Sequence, residues 1–426
     1  MRILHLSWEY PPVVHGGLGR HVHALAEAQA AAGHDVVVIT AHGQDAPHDE
    51  VLAGVRVLRA PADPPALPFD LDHLIPWVLT LEHAMTRVGV RLGRSWRPDV
   101  VHGHDWLVAH AATTLRDLLE APLVVTLHAT EAGRHQGWLP GPLSQAIHGI
   151  EWWLTNEADR VVVCSEHMRW EAETLFDLAP AAVEVIPNGI DRSRWRVPPR
   201  EAAAARRRWQ PDPDAPLVVF TGRLEWEKGA HTLLAAVPTL RRRFPGLRVV
   251  VAGHGAQADT LAGQVRASRL GRAVTLAGFL PEEDLAALVA AGDVVVIPSL
   301  YEPFGLVALE AAALGTPLVV SATGGLAEFV HDDVTGRTFQ PGDPAALADA
   351  VDDALRDPAA GARMAATASR RLARSHGWPQ IAERTVEVYA RAAVEDAASP
   401  RIGAPLVEPV ARETPTGNLF TRSQSR

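Results

Sequence analysis

At 426 residues the chain is too long for one ordinary hydrophobic core, and its length favours two or three domains. A hydrophobic share of 47% with 21% charged residues is that of a soluble globular protein, and a formal net charge of -10 argues against a nucleic-acid backbone or an anionic membrane as the main partner. A single cysteine, Cys164, excludes an intrachain disulfide framework and a cysteine-rich zinc site and makes the cytoplasm the expected location.

The chain begins MRILHLSWEYPP, where Glu9 and the Pro11-Pro12 pair interrupt the apolar run too early for a signal peptide. No stretch approaches the roughly 20 uninterrupted apolar residues of a membrane span. Short β-branched runs then alternate with Ala/Leu/Arg-rich helical segments. RILHLSW, DVVVIT, GVRVLRA, DVVHGHD, PLVVTLHA, DRVVVCS and VEVIPNG read as strands in the first half; PLVVFTGR, LRVVVAG, AVTLAGF, DVVVIPS and TPLVVSA do so in the second. Such alternation predicts two parallel sheets in tandem, each flanked by helices. The boundary falls between Asp191 and Pro216, where prolines, arginines and an isolated helical patch break the pattern. A late helical stretch from Trp378 is placed to cross back to the first domain. The domain plan is therefore 1–195, completed by a helix at about 378–397, then 196–377, with a Pro/Thr/Ser/Gly/Arg-rich tail, 398–426, expected to be disordered.

Ligands of open parallel sheets bind outside the carboxyl ends of the strands, so loops there carry the candidate chemistry. After the first strand come Gly16, Gly17, Leu18 and Gly19, then a helix to about Ala32; such a turn brings backbone N–H groups to a phosphate or is a tight turn with no ligand. The dinucleotide fingerprint is broken, because the next expected glycine is Val22. His102 and His104 share a strand face and could ligate a metal, but with no third ligand evident the alternative is a hydrogen-bonded structural histidine. His128 ends the strand of PLVVTLHA. Cys164 lies in no motif and reads as a buried, inert thiol, and Trp138 is a possible sugar-stacking surface. The Asp70–Asp72 and Asp212–Asp214 triplets sit in proline-bounded loops and read as turns.

In the second half, Arg223 and Lys228 lie five residues apart after a buried strand, where a bidentate fork and a point charge can grip a diphosphate. Glu302 and Glu310 interrupt the apolar passage SLYEPFGLVALEAAALGTP. An ionised carboxylate buried without partners costs on the order of several kcal/mol, so each must reach water, a protein partner or a ligand. Thr323, Gly324 and Gly325 follow the strand of TPLVVSA and start another helix, and four such loops converge on one crevice.

Taken together and in order, GGLG, HGHDW, TLHATEAGR, VIPNGID, GRLEWEKG, PSLYEPFGLVALEA and TGGLAE give a chain that resembles the retaining family-4 glycosyltransferases of the two-domain GT-B fold, over residues 1 to about 395. It is most similar to their glycogen-synthase-like branch and to actinobacterial α-1,4-glucosyltransferases of glycogen and methylglucose lipopolysaccharide synthesis. The resemblance implies an α/β fold of two Rossmann-like domains facing a central cleft, and metal-independent α-glucosyl transfer from ADP-glucose or UDP-glucose to an α-glucan or oligosaccharide. The nucleotide sugar is a co-substrate, so no cofactor is implied.

By the same resemblance, Arg223 and Lys228 hold the donor diphosphate, assisted by backbone N–H groups near Gly17 and Leu306. Glu302 bonds hydroxyls of the donor sugar, Glu310 the nucleotide ribose, and His128 the sugar beside its reacting carbon. Asn188, Gly253, Gly305, Gly324 and Gly325 complete the donor site. Val14 stands where bacterial glycogen synthases carry the lysine of a Lys-x-Gly-Gly pattern, and Phe304 where they tend to have cysteine, which leaves the nucleotide open. The alternatives are a mannosyl- or other hexosyltransferase and, from a different class, a non-catalytic glucan-binding protein.

Overall fold

The computed structural model describes residues 1–43, 45–61 and 67–398. Residues 399–426, most of the expected disordered tail, lie outside the described residues; Ala398 ends the last helix.

The strands form where β-branched runs exclude polar alternation, as expected for sheets covered on both faces. In the first half they are β1 (Arg2–Leu6), β2 (Asp35–Ala41), β3 (Asp49–Leu52), β4 (Val55–Ala60), β5 (Val100–His104), β6 (Leu123–Leu127), β7 (Arg160–Val163) and β8 (Val183–Val185). The second half contributes β9 (Leu217–Thr221), β10 (Arg248–Ala252), β11 (Val274–Gly278), β12 (Val294–Ile297), β13 (Leu318–Ser321) and β14 (Arg337–Phe339). The first sheet runs β3-β4-β2-β1-β5-β6-β7-β8 and the second β11-β10-β9-β12-β13-β14. All pairings are parallel except β3 with β4.

The reversal of strand order beside β1, and again beside β9, opens a crevice at the carboxyl ends of each sheet. Ligand-binding loops follow those strands. β3 and β14 were not legible in advance. β3 is an exposed antiparallel edge reading DEVL, and β14 has three residues, so neither carries a buried apolar run.

The helix Pro199–Trp209 accounts for the isolated helical patch, and Arg206 ties it to the second half through Asp293, at 2.6 Å. Helix Trp378–Ala398 returns to the first half, where Ile381, Ala382, Val388, Tyr389 and Ala392 share a core with Val22, Leu25 and Ala26 of helix Gly17–Ala31. Among the described residues no helix is long and apolar enough to cross a membrane.

Candidate active site

Three loops of the second half meet behind the cleft. Arg223 follows β9 and is held by hydrogen bonds on either side: Gly222 N donates to Ala252 O at 3.1 Å and Leu224 N to His254 O at 2.8 Å. These bonds place Gly253, at the end of β10, against the Arg223 loop. Five residues on, Lys228 Nζ donates to Glu302 Oε2 at 2.9 Å, and Ser299 Oγ donates to the same oxygen at 3.0 Å.

The backbone of Glu302 is fixed by the third loop, where Gly325 N donates to its carbonyl at 3.0 Å. Gly324 has φ +49° and a Cβ there would fall 2.0 Å from that carbonyl, so a side chain is excluded on both counts. Gly305, in the left-handed conformation, then starts helix Leu306–Leu314, apolar except for Glu310, which is buried.

The first half supplies the opposite wall. Gly16 caps helix Gly17–Ala31, but Glu9 reaches under the loop and its Oε2 accepts from His15 N at 2.8 Å and Gly16 N at 3.1 Å. A Cβ on Gly19 would lie 2.7 Å from that carboxylate, so Gly19 is what lets Glu9 in. The N–H of Gly16 is therefore committed, and an incoming anion is left with the first helical turn at Gly17, Leu18 and Gly19. Gly17 faces Leu306 closely: a Cβ on it would meet Leu306 Cδ1 at 3.1 Å. Three residues along, Arg20 donates to Glu310 across the cleft. Burial raises the Glu310 carboxyl above the usual range, and the Arg20 guanidinium opposes that shift.

His128 follows β6 and stands half-buried at the cleft. Its backbone N–H donates to Asp105 Oδ1 at 2.7 Å. Asp105, the aspartate of HGHDW, is held at φ +60°, and burial pushes its carboxyl up to about 7. Burial first, and then the Arg134 guanidinium, lower the His128 imidazole to about 3, so it is neutral at physiological pH. The Arg223 guanidinium is likewise lowered, by burial and then by Arg134 of the other half. Arg134, half-buried beyond the loop after β6, thus adds a third cation to the neighbourhood.

The structure therefore brings together Gly17, Leu306, Glu302, Lys228, Gly324, Gly325 and Glu310 at one interface, with Arg223 and His128 beside it. Asn188 lies deeper, with Oδ1 accepting from His21 Nδ1 at 2.7 Å. Cys164 is buried and its thiol is pushed up by burial. His102 is hydrogen-bonded, to Tyr389 Oη at 2.6 Å and Thr126 Oγ1 at 2.7 Å. Asp70 Oδ1 accepts from His73 N and Asp212 Oδ1 from Asp214 N, so both aspartate triplets make turns.

The residues not singled out from sequence are Glu9, Arg20, Asp105, Arg134 and Tyr301. Tyr301 Oη donates to Glu171 Oε1 at 2.9 Å and accepts from Thr130 N at 3.3 Å, locking the Glu302 loop to the first half. Asp105, Arg134 and Tyr301 lie within motifs already quoted and Arg20 directly follows GGLG, and a lone charge beside a glycine turn or at a strand end is the signal that could have found Arg20 and Asp105. At the outer rim, Trp8, His15, Phe69 and Trp77 form one aromatic group. Trp8 is stacked on His15 with centroids 5.2 Å apart, and Phe69 lies 5.3 Å from Trp8 and 4.7 Å from Trp77.

Residues 15–194 match the Glycosyltransferase Family 4 model and residues 202–371 the Glycosyl transferases group 1 model. The chain is 49% identical over 419 residues to a glycogen synthase of Mycobacterium tuberculosis, covering 96% of this chain and 99% of that one. It is 35% identical over 412 residues to a D-inositol 3-phosphate glycosyltransferase of Kineococcus radiotolerans, covering 91% and 92%. Sucrose-phosphate synthase of Thermosynechococcus elongatus superposes with a TM-score of 0.78 at 27% identity, over 93% of this chain and all of the other.

Proposed function

The chain belongs to the glycosyltransferases of the family-4 and group-1 kind, and from that premise we propose that it is a retaining α-1,4-glucosyltransferase extending a glucan from a nucleotide-glucose. The observation that carries the donor side is the convergence of Arg223, Lys228 and Arg134 on one interface, with the Arg223 guanidinium already lowered by burial and then by repulsion from Arg134. A diphosphate seated there relieves that repulsion. Arg223 binds it as a planar fork, Lys228 as a point charge, and the first helical turn at Gly17 and Leu18 adds N–H donors.

In this reading Lys228 exchanges its Glu302 partner for phosphate, and Glu302 turns to hydroxyls of the glucose. Glu310 exchanges Arg20 for the nucleotide ribose. His128, neutral because it is buried, sits beside the reacting carbon without adding charge to it. Attack on the face that the leaving diphosphate vacates needs no enzyme nucleophile, and a phosphate oxygen takes the acceptor's proton. Catalysis is then mainly stabilisation of charge on the departing diphosphate. The glucan lies along Trp8, His15, Phe69 and Trp77, whose ring faces suit the apolar faces of pyranose rings. The 49% identity to a glycogen synthase supports glucose and an α-glucan as the pair.

The test is incubation of the full chain with ADP-glucose or UDP-glucose and a maltooligosaccharide. Nucleotide release with a lengthened α-1,4-linked product is the expected result, and the same assay chooses the nucleotide. Glucan binding with no turnover on any nucleotide hexose overturns it in favour of a binding protein. Turnover only with GDP-mannose or another hexose donor moves the assignment to a different hexosyltransferase.

A further inference from the structure

Beneath His128 the first half buries four more histidines, His5 on β1, His21 on helix Gly17–Ala31, and His102 and His104 on β5. From sequence, His102 and His104 lacked a third ligand; the fold supplies others from separate elements. His5, His102 and His104 form one group whose ligand nitrogens all lie within 4.8 Å, and His21, His104 and His128 form a second. Hydrogen bonding decides which of them offers lone pairs.

His5 Nε2 lies 2.7 Å from Gln29 Oε1, which can only accept, so His5 carries its proton there and presents a bare Nδ1. His104 Nε2, 3.1 Å away, must therefore donate to His5, and this leaves His104 Nδ1 bare and facing His128 Nε2 at 3.3 Å. His21 Nδ1 donates to Asn188 Oδ1, which leaves Nε2 bare as well. That nitrogen is buried and has no hydrogen-bond partner among the described residues, on a side chain 6% exposed. An unpaired buried acceptor is costly unless something comes to it.

Four facts match a metal centre. Ligand nitrogens on a tetrahedral Zn2+ at about 2.0–2.1 Å sit about 3.3 Å apart, the spacing of His104 and His128. Each of the two deeper ligands has an outer partner orienting its ring, Asn188 for His21 and the His5–Gln29 pair for His104, as metal-binding imidazoles do. His128 is open to the cleft, which gives a route of entry and a fourth coordination position. Burial keeps all three rings neutral, the form that ligates.

We propose that His21 Nε2, His104 Nδ1 and His128 Nε2 form an inhibitory site for a first-row transition-metal ion of the Zn2+ kind. Binding shifts the His128 proton to Nδ1 and turns Nε2 onto the ion. The inhibitory half rests on the reading that His128 contacts the donor sugar: an ion on His128 takes that contact away and sets a cation beside the reacting carbon, where positive charge develops. The site is a regulator of transfer and not a participant in it.

The experiment uses the full chain, stripped with EDTA and dialysed. Zn2+ is titrated against a chromophoric chelator, and Co2+ is followed by its ligand-field absorption. Expected are one tetrahedral Co2+ and one Zn2+ per chain, with Zn2+ lowering turnover at the same occupancy. His21→Leu removes one direct ligand. It weakens Zn2+ by at least the ten- to hundredfold, in order of magnitude, that loss of an outer partner costs, and abolishes the inhibition.

His104→Gln gives the same result by a different residue, should His21→Leu fail to fold as judged by circular dichroism in EDTA. Equal binding by wild type and both variants, or no stoichiometric Co2+ spectrum, overturns the site. Binding without inhibition overturns the claim that the ion withdraws His128. A chain that transfers no sugar but shows the Co2+ spectrum overturns the proposed function and leaves the metal site standing.

Discussion

The two walls of the cleft solve different problems with different side chains. The second half faces it with formal charge, Arg223, Lys228, Glu302 and Glu310, each paired with an opposite charge of the protein. The first half faces it with neutral polar rings on a network of hydrogen bonds and, at the rim, with aromatic surface. Charge that a ligand can displace suits a leaving diphosphate. Neutral rings that burial holds uncharged suit a sugar carbon on its way to an oxocarbenium-like state.

Breaking the charged wall should give the largest effect. Lys228→Ala and Arg223→Ala are each expected to lower kcat by about 10²–10³, as for loss of one preorganised donor to a developing anion, with far-ultraviolet circular dichroism unchanged. Activity near that of the wild type would remove the phosphate role.

The neutral wall is tested next. Trp8→Ala and Phe69→Ala should raise the KM for a maltooligosaccharide about tenfold, the order of one lost aromatic contact, while the KM for the nucleotide sugar stays put. A change in both KM values would mean that the rim does not separate acceptor from donor.

A third test addresses the seam between the walls. Arg20→Ala leaves Glu310 buried without its cation. Because Arg20 is itself partly exposed and the Glu310 carboxyl is already raised, the loss of stability should be about 1–3 kcal/mol, below the range for a fully buried pair. Urea midpoints at pH 7 check it, and saturating nucleotide sugar should restore part of the loss if Glu310 then binds ribose.

The last test concerns His376, packed against Phe304 and Phe329 and lowered to about 4 by burial and then by Arg384. The unfolded chain takes up this proton first on acidification. The stability it contributes is thus complete above pH 6.5 and is lost as pH falls from 6.5 to 4, at no more than about 1.4 kcal/mol per pH unit. His376→Gln should flatten that slope, measured by denaturant midpoints at pH 4.5 and 7.5.

What could be read in advance divides along the same line. Apolar runs and glycine turns gave the two parallel sheets, because period and punctuation are local. Glu302, Lys228 and Arg223 were legible since charge in an apolar passage demands a partner, and the partners came from nearby loops.

The histidine network was not legible. His5, His21 and His104 meet only after β1, β5 and helix Gly17–Ala31 pack, and no spacing along the chain encodes that meeting. Arg20 was missed for a similar reason: its partner Glu310 is 290 positions away. Glu9 is the subtler case, since sequence offered the glycine loop's N–H groups to a ligand, while that of Gly16, like that of His15 before it, was already taken by a carboxylate seven residues upstream.

Helix Trp378–Ala398 carries a consequence for how the molecule comes into being. Its Tyr389 is wholly buried in the first half, where it accepts from Gln29 and anchors His102. A nascent chain emerging from the ribosome therefore holds an unfinished amino-terminal lobe, with an apolar groove on helix Gly17–Ala31, until helix Trp378–Ala398 has been made. Such exposed apolar surface is prone to aggregate while it waits, and a premature stop upstream of Trp378 should yield insoluble product rather than a half-active fragment.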